Sequence, residues 1–320
     1  MTFVFESTKI THLKKGIPLN TINLKSHLYV IFATILVAGS FIASEKLSGV
    51  VNSFSLILLR FVICVVFLIP FIYVKKNALN KVKRAFLRAF IMSFFYTGYF
   101  VILFESLNST TSLHTGTLFT LVPLLTAILY IFFFKEKITK LQLLVYFIGI
   151  LGTCGIIFKG DIDLFLSFSL NSGDFLFLIG LLFMSSYSIS MKYLYKKDDT
   201  LVLVFCTLIG GSIWMGLIIF FSDIPLNWHL IQGNNIFYMA YLVIPATLFT
   251  TYLYQKATIQ IGPKSVMSYI YISPAAVALI LFLLEKKVIS IPVLIAILIS
   301  TIATIILQIS LSRNANMKLN

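Results

Sequence analysis

The chain has 320 residues, a formal net charge of +14 and a mean hydropathy of +1.00, with 59% hydrophobic and only 11% charged residues. A soluble domain needs roughly 25% charged residues to cover its surface, so this composition excludes a water-soluble fold and implies a lipid-facing one. The charge does not point to nucleic acid, because the basic residues lie in short clusters between apolar runs, without a basic amphipathic face or aromatic interleaving.

Residues 1–25 carry Lys9, Lys14, Lys15 and Lys25 ahead of the first apolar run. They lack the early apolar core and small-residue cleavage site of a signal peptide, so a retained cytoplasmic tail is expected. About 20 apolar residues are needed to cross ~30 Å of hydrocarbon. Ten runs meet that length, near residues 26–45, 54–74, 86–106, 111–134, 141–158, 174–195, 200–221, 236–256, 264–284 and 290–312. Connections such as KEKITK and KKDD are short, which makes consecutive helices antiparallel neighbours. With the N-terminus inside, twenty Lys and Arg fall on the cytoplasmic side and four (Lys46, Lys159, Lys286 and Lys287) on the other, with Arg60 inside a span. That asymmetry predicts cytoplasmic termini in a plasma (inner) membrane.

Span one contains GSFIASEKL (39–47) and span six SSYSISMKY (185–193), an offset of 146 that aligns Ser40 with Ser186, both candidates to line a substrate pathway, and Lys46 with Lys192. Span four's TLVPLLTAILYIFFFKEKIT resembles span nine's YISPAAVALILFLLEKKVIS, with Pro123 and Pro274 offset by 151. Five spans per unit is odd, so the second unit enters the membrane inverted. The expected fold is therefore an all-α integral membrane protein, ten transmembrane helices as two inverted five-helix repeats (26–159 and 173–312), with tails at 1–25 and 313–320. Inverted repeats of this kind are a pattern of secondary transporters, whose site lies between the halves.

The candidate site residues follow the chain. Arg60 in span two and Glu105 near the outer end of span three are intramembrane ionisable groups in the same half of the bilayer. They are read as an ion pair, with Glu45 as the alternative partner, or as a snorkelling arginine and an interfacial carboxylate. Of the four histidines only His114 is placed inside a span, where it and Glu105 are candidates for proton coupling. Pro123 and Pro274 should interrupt their helices, and the hydroxyls of Thr115, Thr117, Thr120, Ser268, Tyr269, Tyr271 and Ser273 can satisfy the freed backbone groups or meet a polar solute. The bland alternative is a kinked, packed helix. Tyr96, Tyr99, Tyr187, Tyr252, Tyr254, Tyr269 and Tyr271 supply phenols that suit an amphipathic solute or serve as packing. Gly149, Gly152 and Gly155 form a small-residue stripe for helix packing or a dimer contact. Cys64, Cys154 and Cys206 lie singly in apolar runs and read as core residues.

Ten spans in two repeats, LRF in span two, P…KEKIT closing span four, GD opening span six and a second P…LLEKKVIS together resemble the EamA-type branch of the drug/metabolite transporter superfamily over residues 26–312. The resemblance implies a cavity lined by spans one, three, four, six, eight and nine, with spans five and ten peripheral. It also implies transport of small organic metabolites, often amino-acid-like and often outward.

The leading reading is thus a secondary-active exporter of small metabolites working by alternating access, with a small-molecule substrate and the lipid bilayer as partners. A membrane-embedded enzyme such as a lipid-linked transferase is the alternative, and it would need more clustered His, Asp or Glu than Glu105 and His114 offer. No cofactor, metal or catalytic residue is expected, and the chain has no phosphate-binding loop of an ATP-driven pump. A monomer suffices to form the pathway, and a homodimer is compatible with it.

Overall fold

A computed structural model describes residues 19–47, 50–110, 112–286 and 289–317, and among them no strand occurs. The helices are α1 (Leu19–Leu47), α2 (Ser53–Tyr73), α3 (Ala78–Ser106), α4 (Ser112–Phe119), α5 (Val122–Phe134), α6 (Lys140–Ile157), α7 (Ile162–Leu166), α8 (Ser172–Tyr193), α9 (Thr200–Phe221), α10 (Asn234–Val243), α11 (Thr250–Ile261), α12 (Pro263–Ser268), α13 (Ser273–Glu285) and α14 (Ile291–Met317). By length and hydropathy they make ten candidate spans among the described residues, with α4–α5, α10–α11 and α12–α13 each forming one.

Apolar runs write these helices, and capping residues set where they begin. Asn52 Oδ1 accepts from Phe54 N at 2.9 Å to start α2. Thr139 with Gln142 and Asn171 with Asp174 form capping boxes at α6 and α8. Asp199 Oδ1 takes the amides of Leu201 and Val202 to start α9. Helix α3 begins about two turns before the apolar run at 86, because nothing in ALNKVKRA is a helix breaker. Lys81, Lys83, Arg84 and Arg88 therefore project from a helix rather than a loop.

Spans four and nine are each built of more than one helix. Span four breaks between Phe119 and Val122, and α5 carries Pro123 in its first turn, where a missing N–H has no intrahelical partner to lose. Span nine passes through a 3-10 turn at Tyr269–Ile272 before α13, again with proline, Pro274, in the first turn. Hydroxyls take backbone carbonyls nearby: Thr120 Oγ1 donates to Thr117 O at 2.7 Å and Ser268 Oγ to Ser265 O at 2.9 Å. A third irregularity was not expected. Span eight contains a π-helical turn, Ile244–Phe249, around Pro245, where Thr247 Oγ1 donates to Leu242 O at 2.7 Å.

Loop contacts sort into two faces, as antiparallel alternation requires. On one face Lys75 meets Asp199, Arg88 meets Asp198 at 2.8 Å and Lys264 meets Glu136 at 3.1 Å. On the other, Trp228 Nε1 donates to Ser55 Oγ at 2.7 Å and Asn171 Nδ2 to Thr110 Oγ1 at 3.2 Å. Spans five and ten pack through the glycine stripe. A Cβ on Gly152 would lie 2.8 Å from Ser300 N, one on Gly155 2.8 Å from Ala296 Cβ, and one on Gly149 2.5 Å from the Tyr271 ring. The stripe is filled from within the chain, which answers its two readings in favour of helix packing. Cys64, Cys154 and Cys206 are buried and unbridged.

Candidate substrate pathway

One apolar cluster joins six spans. It includes Val30 of α1, Leu118 and Val122 flanking the break in span four, Phe177 of α8, Ala257 of α11 and Tyr269 of span nine, with Tyr99 and Tyr254 half-buried against it. These are spans one, three, four, six, eight and nine, the six that the resemblance implies around a cavity. Tyr96 stacks on Tyr187 at 4.6 Å and on Phe61 at 5.7 Å, while Tyr99 lies 5.9 Å from Phe119, the last residue of α4. The Tyr254 hydroxyl is 3.1 Å from Thr34 Oγ1, and that of Tyr269 is 2.9 Å from His27 Nδ1. Most of the phenols singled out from sequence thus gather at the meeting of the two repeats.

Several expected residues do not. Tyr271 is fully buried and donates to Tyr146 O at 3.1 Å, pinning span nine to span five. The 3-10 turn rotates it away from the face that carries Tyr269. Ser186 lines a lateral groove with Ile91, Phe133 and Tyr193, and Ser40 donates to its own helix at Val37 O, 2.7 Å away. Thr117 supplies the carbonyl that Thr120 uses.

The Arg60–Glu105 ion pair does not form. Glu105 is exposed and accepts from Asn108 Nδ2 at 3.3 Å, whereas Arg60 Nε and Nη2 donate to Thr247 Oγ1 at 3.0 and 2.8 Å. Depth explains this: Arg60 lies seven residues into α2 and Glu105 one residue from the end of α3. At 1.5 Å per residue their backbones differ in depth by about 9 Å. The carboxylate stays exposed beside the end of its helix.

Asp174 is the carboxylate that sequence reasoning passed over. It is fully buried in the first turn of α8 and is bound by Thr110 Oγ1 at 2.5 Å, His114 Nδ1 at 2.7 Å and Asn171 N at 2.9 Å. His114 is therefore tied to span six rather than left facing the centre, and its ring lies 4.3 Å from that of Phe168. The signal was the GD pair preceded by Asn171 at capping-box spacing. His27 was also missed: it lies inside the first candidate span, 24–44, contrary to the expectation that only His114 does so. On the face carrying the lysines, burial opposes ionisation of Asp199. The Lys75 hydrogen bond and charge and the amides of Val202 and Leu201 outweigh burial, holding the carboxyl below its usual range. Lys264 pairs with Glu136 and lies 4.4 Å over the Tyr130 ring. Among the described residues, no three of His, Cys, Asp and Glu come together in a metal-binding group.

Ten apolar spans among the described residues, in two halves and with interrupted helices facing a shared core, define a multi-pass membrane protein with the architecture of a transporter. The EamA-like transporter family matches residues 24–158 and 171–309, and the chain belongs to that family, within the drug/metabolite transporter superfamily. The Uncharacterized transporter YyaM of Bacillus subtilis (strain 168) is 25% identical over 154 residues, 48% of this chain and 50% of that relative. The match thus spans about half the relative's length. A solved crystal structure with 16% identity has a TM-score of 0.70 over 91% of this chain and 98% of its own, which shows a common fold.

Proposed function

We propose that this protein is a secondary-active carrier of small organic metabolites, amino-acid-like or related, that exports them across the plasma (inner) membrane by alternating access. The observation that carries this reading is the pair of helices interrupted at Pro123 and Pro274, at matching places in repeats of opposite orientation. Inverted repeats let the two halves exchange conformations, so that one site faces each side in turn. The repeats at 26–159 and 173–312 are the two bodies that move. Both termini are cytoplasmic, because twenty of the Lys and Arg lie on the N-terminal side and four on the other. Tyr96, Tyr99, Tyr187, Tyr254 and Tyr269 line the path, their rings contacting apolar parts of the solute and their hydroxyls its polar groups.

The test is flux across proteoliposomes containing the purified protein, using a panel of amino acids and related metabolites. Saturable movement of a chemically unchanged solute supports the reading. Conversion of a panel member to a new compound, or no flux of any member, contradicts it.

A further inference from the structure

Arg60 is a cation within a candidate span, and no described side chain gives it a counter-charge; the side chain of Glu45, its alternative partner, lies outside those described. Among the described residues no carboxylate lies within 4.0 Å of its guanidinium, and the partner it does have, Thr247, is neutral. A charge in a span is costly, so an unpaired one is a functional hypothesis by default. The guanidinium has five N–H donors, and Thr247 takes two of them. Three remain.

The anchor is built to leave those three free. Thr247 lies on the π turn of span eight, and such turns recur at functional sites. Its own proton goes to Leu242 O at 2.7 Å, so its oxygen is left to accept from Nε and Nη2 and hold the plane of the fork. Phe61, the residue after Arg60, stacks on the Tyr96 ring at 5.7 Å. Phe100 at 5.1 Å and Tyr187 at 4.6 Å also contact that ring, so aromatic side chains surround it. A rigid charged fork at the edge of an apolar surface suits a ligand with an anionic head and an apolar body.

We propose that Arg60 binds substrate, its free N–H groups taking the carboxylate of a small organic anion whose body rests against Tyr96 and Phe100. The assignment rests on the carrier reading and narrows its solutes to those that carry a carboxylate.

The probes are phenylacetate and its uncharged amide, phenylacetamide, with binding to the purified detergent-solubilised protein followed by thermal shift. The acid should bind the wild type about tenfold or more tightly than the amide, in keeping with a charge-assisted hydrogen bond. Arg60→Gln should abolish that preference. Arg60→Lys keeps the charge without the fork, so it should retain a weaker preference for the acid and serves if the glutamine variant does not fold. If Arg60 merely staples the π turn, the variants will melt earlier with the acid–amide preference intact. That result overturns the proposal, as does equal binding, or no binding, of acid and amide by the wild type. Flux in proteoliposomes separates the two levels. Saturable flux with no effect of solute charge or of Arg60 sinks the anion site and leaves the carrier. Arg60-dependent binding of the acid without flux of any solute does the reverse.

Discussion

Replacing Asp174 with alanine should be among the most damaging single changes in this protein. The carboxylate is fully buried and holds three donors, Thr110 Oγ1, His114 Nδ1 and Asn171 N, while completing the capping box of α8. Loss of a cap costs about 0.5–2 kcal/mol, and a buried donor left without its partner about 1–3 kcal/mol. His114 retains some exposure and can find water, so a total of about 3–4 kcal/mol is a reasonable working figure. At roughly 2 °C per kcal/mol for a chain of this size, the melting temperature should fall by about 6–8 °C. Asp174→Asn keeps an acceptor and loses the charge, so it should fall between. The assay is thermal unfolding of purified protein in detergent, with His114→Ala and the double variant completing a cycle. The two single effects should exceed the double, because the residues share one hydrogen bond. A melting temperature for Asp174→Ala within 1 °C of wild type, or strict additivity in the cycle, would refute the reasoning.

Pro123→Ala and Pro274→Ala should each restore a backbone donor and straighten a span. Both variants should insert normally yet transport several-fold more slowly per folded molecule, as measured by flux normalised to folded protein, since alternating access needs two states of similar energy. Gly152→Val places a Cβ 2.8 Å from Ser300 N and should destabilise by about 1–3 kcal/mol, read as earlier melting. Because Asp199 has a depressed pKa in the fold, its contribution is present above its unfolded value of about 4 and is lost as pH falls through the folded value. The melting difference between wild type and Asp199→Asn should therefore be constant near neutrality and shrink below about pH 4. In a background lacking the native cysteines, Asn108→Cys and Asn227→Cys should react with an impermeant thiol reagent added outside cells, and Asn77→Cys should not. All three positions are exposed, so labelling of the last alone would reverse the assigned orientation.

Much of this architecture was legible because lipid imposes a length rule on every span. Ten apolar runs, an odd number per repeat and two prolines 151 residues apart lead directly to the inverted, interrupted helices observed. Helical periodicity does not say which neighbour a face will meet. The sequence places Arg60 and Glu105 in the same half of the membrane, yet about 9 Å of separation along their helices and the turn of α2 send the arginine to Thr247 instead. Tyr271 follows Tyr269 by two residues, but the 3-10 turn directs one to span five and the other to His27 of span one. Pro245 gave no repeat to mark it, so the π turn was invisible in the sequence. Asp174 was visible only as part of a short motif, since its burial comes from the arrival of Thr110 and His114 from the other half of the chain.

The central claim is that one site opens alternately to either side, and counterflow tests it most directly. Proteoliposomes preloaded with an unlabelled solute that the protein moves are diluted into the same solute carrying a label. A carrier must return its site across the membrane, and it does so with solute bound. The account predicts that preloading accelerates labelled uptake and produces a transient accumulation above the outside concentration. It also predicts that Pro123→Ala and Pro274→Ala slow that exchange. Uptake that rises linearly with concentration and is unaffected by solute on the far side would contradict the account.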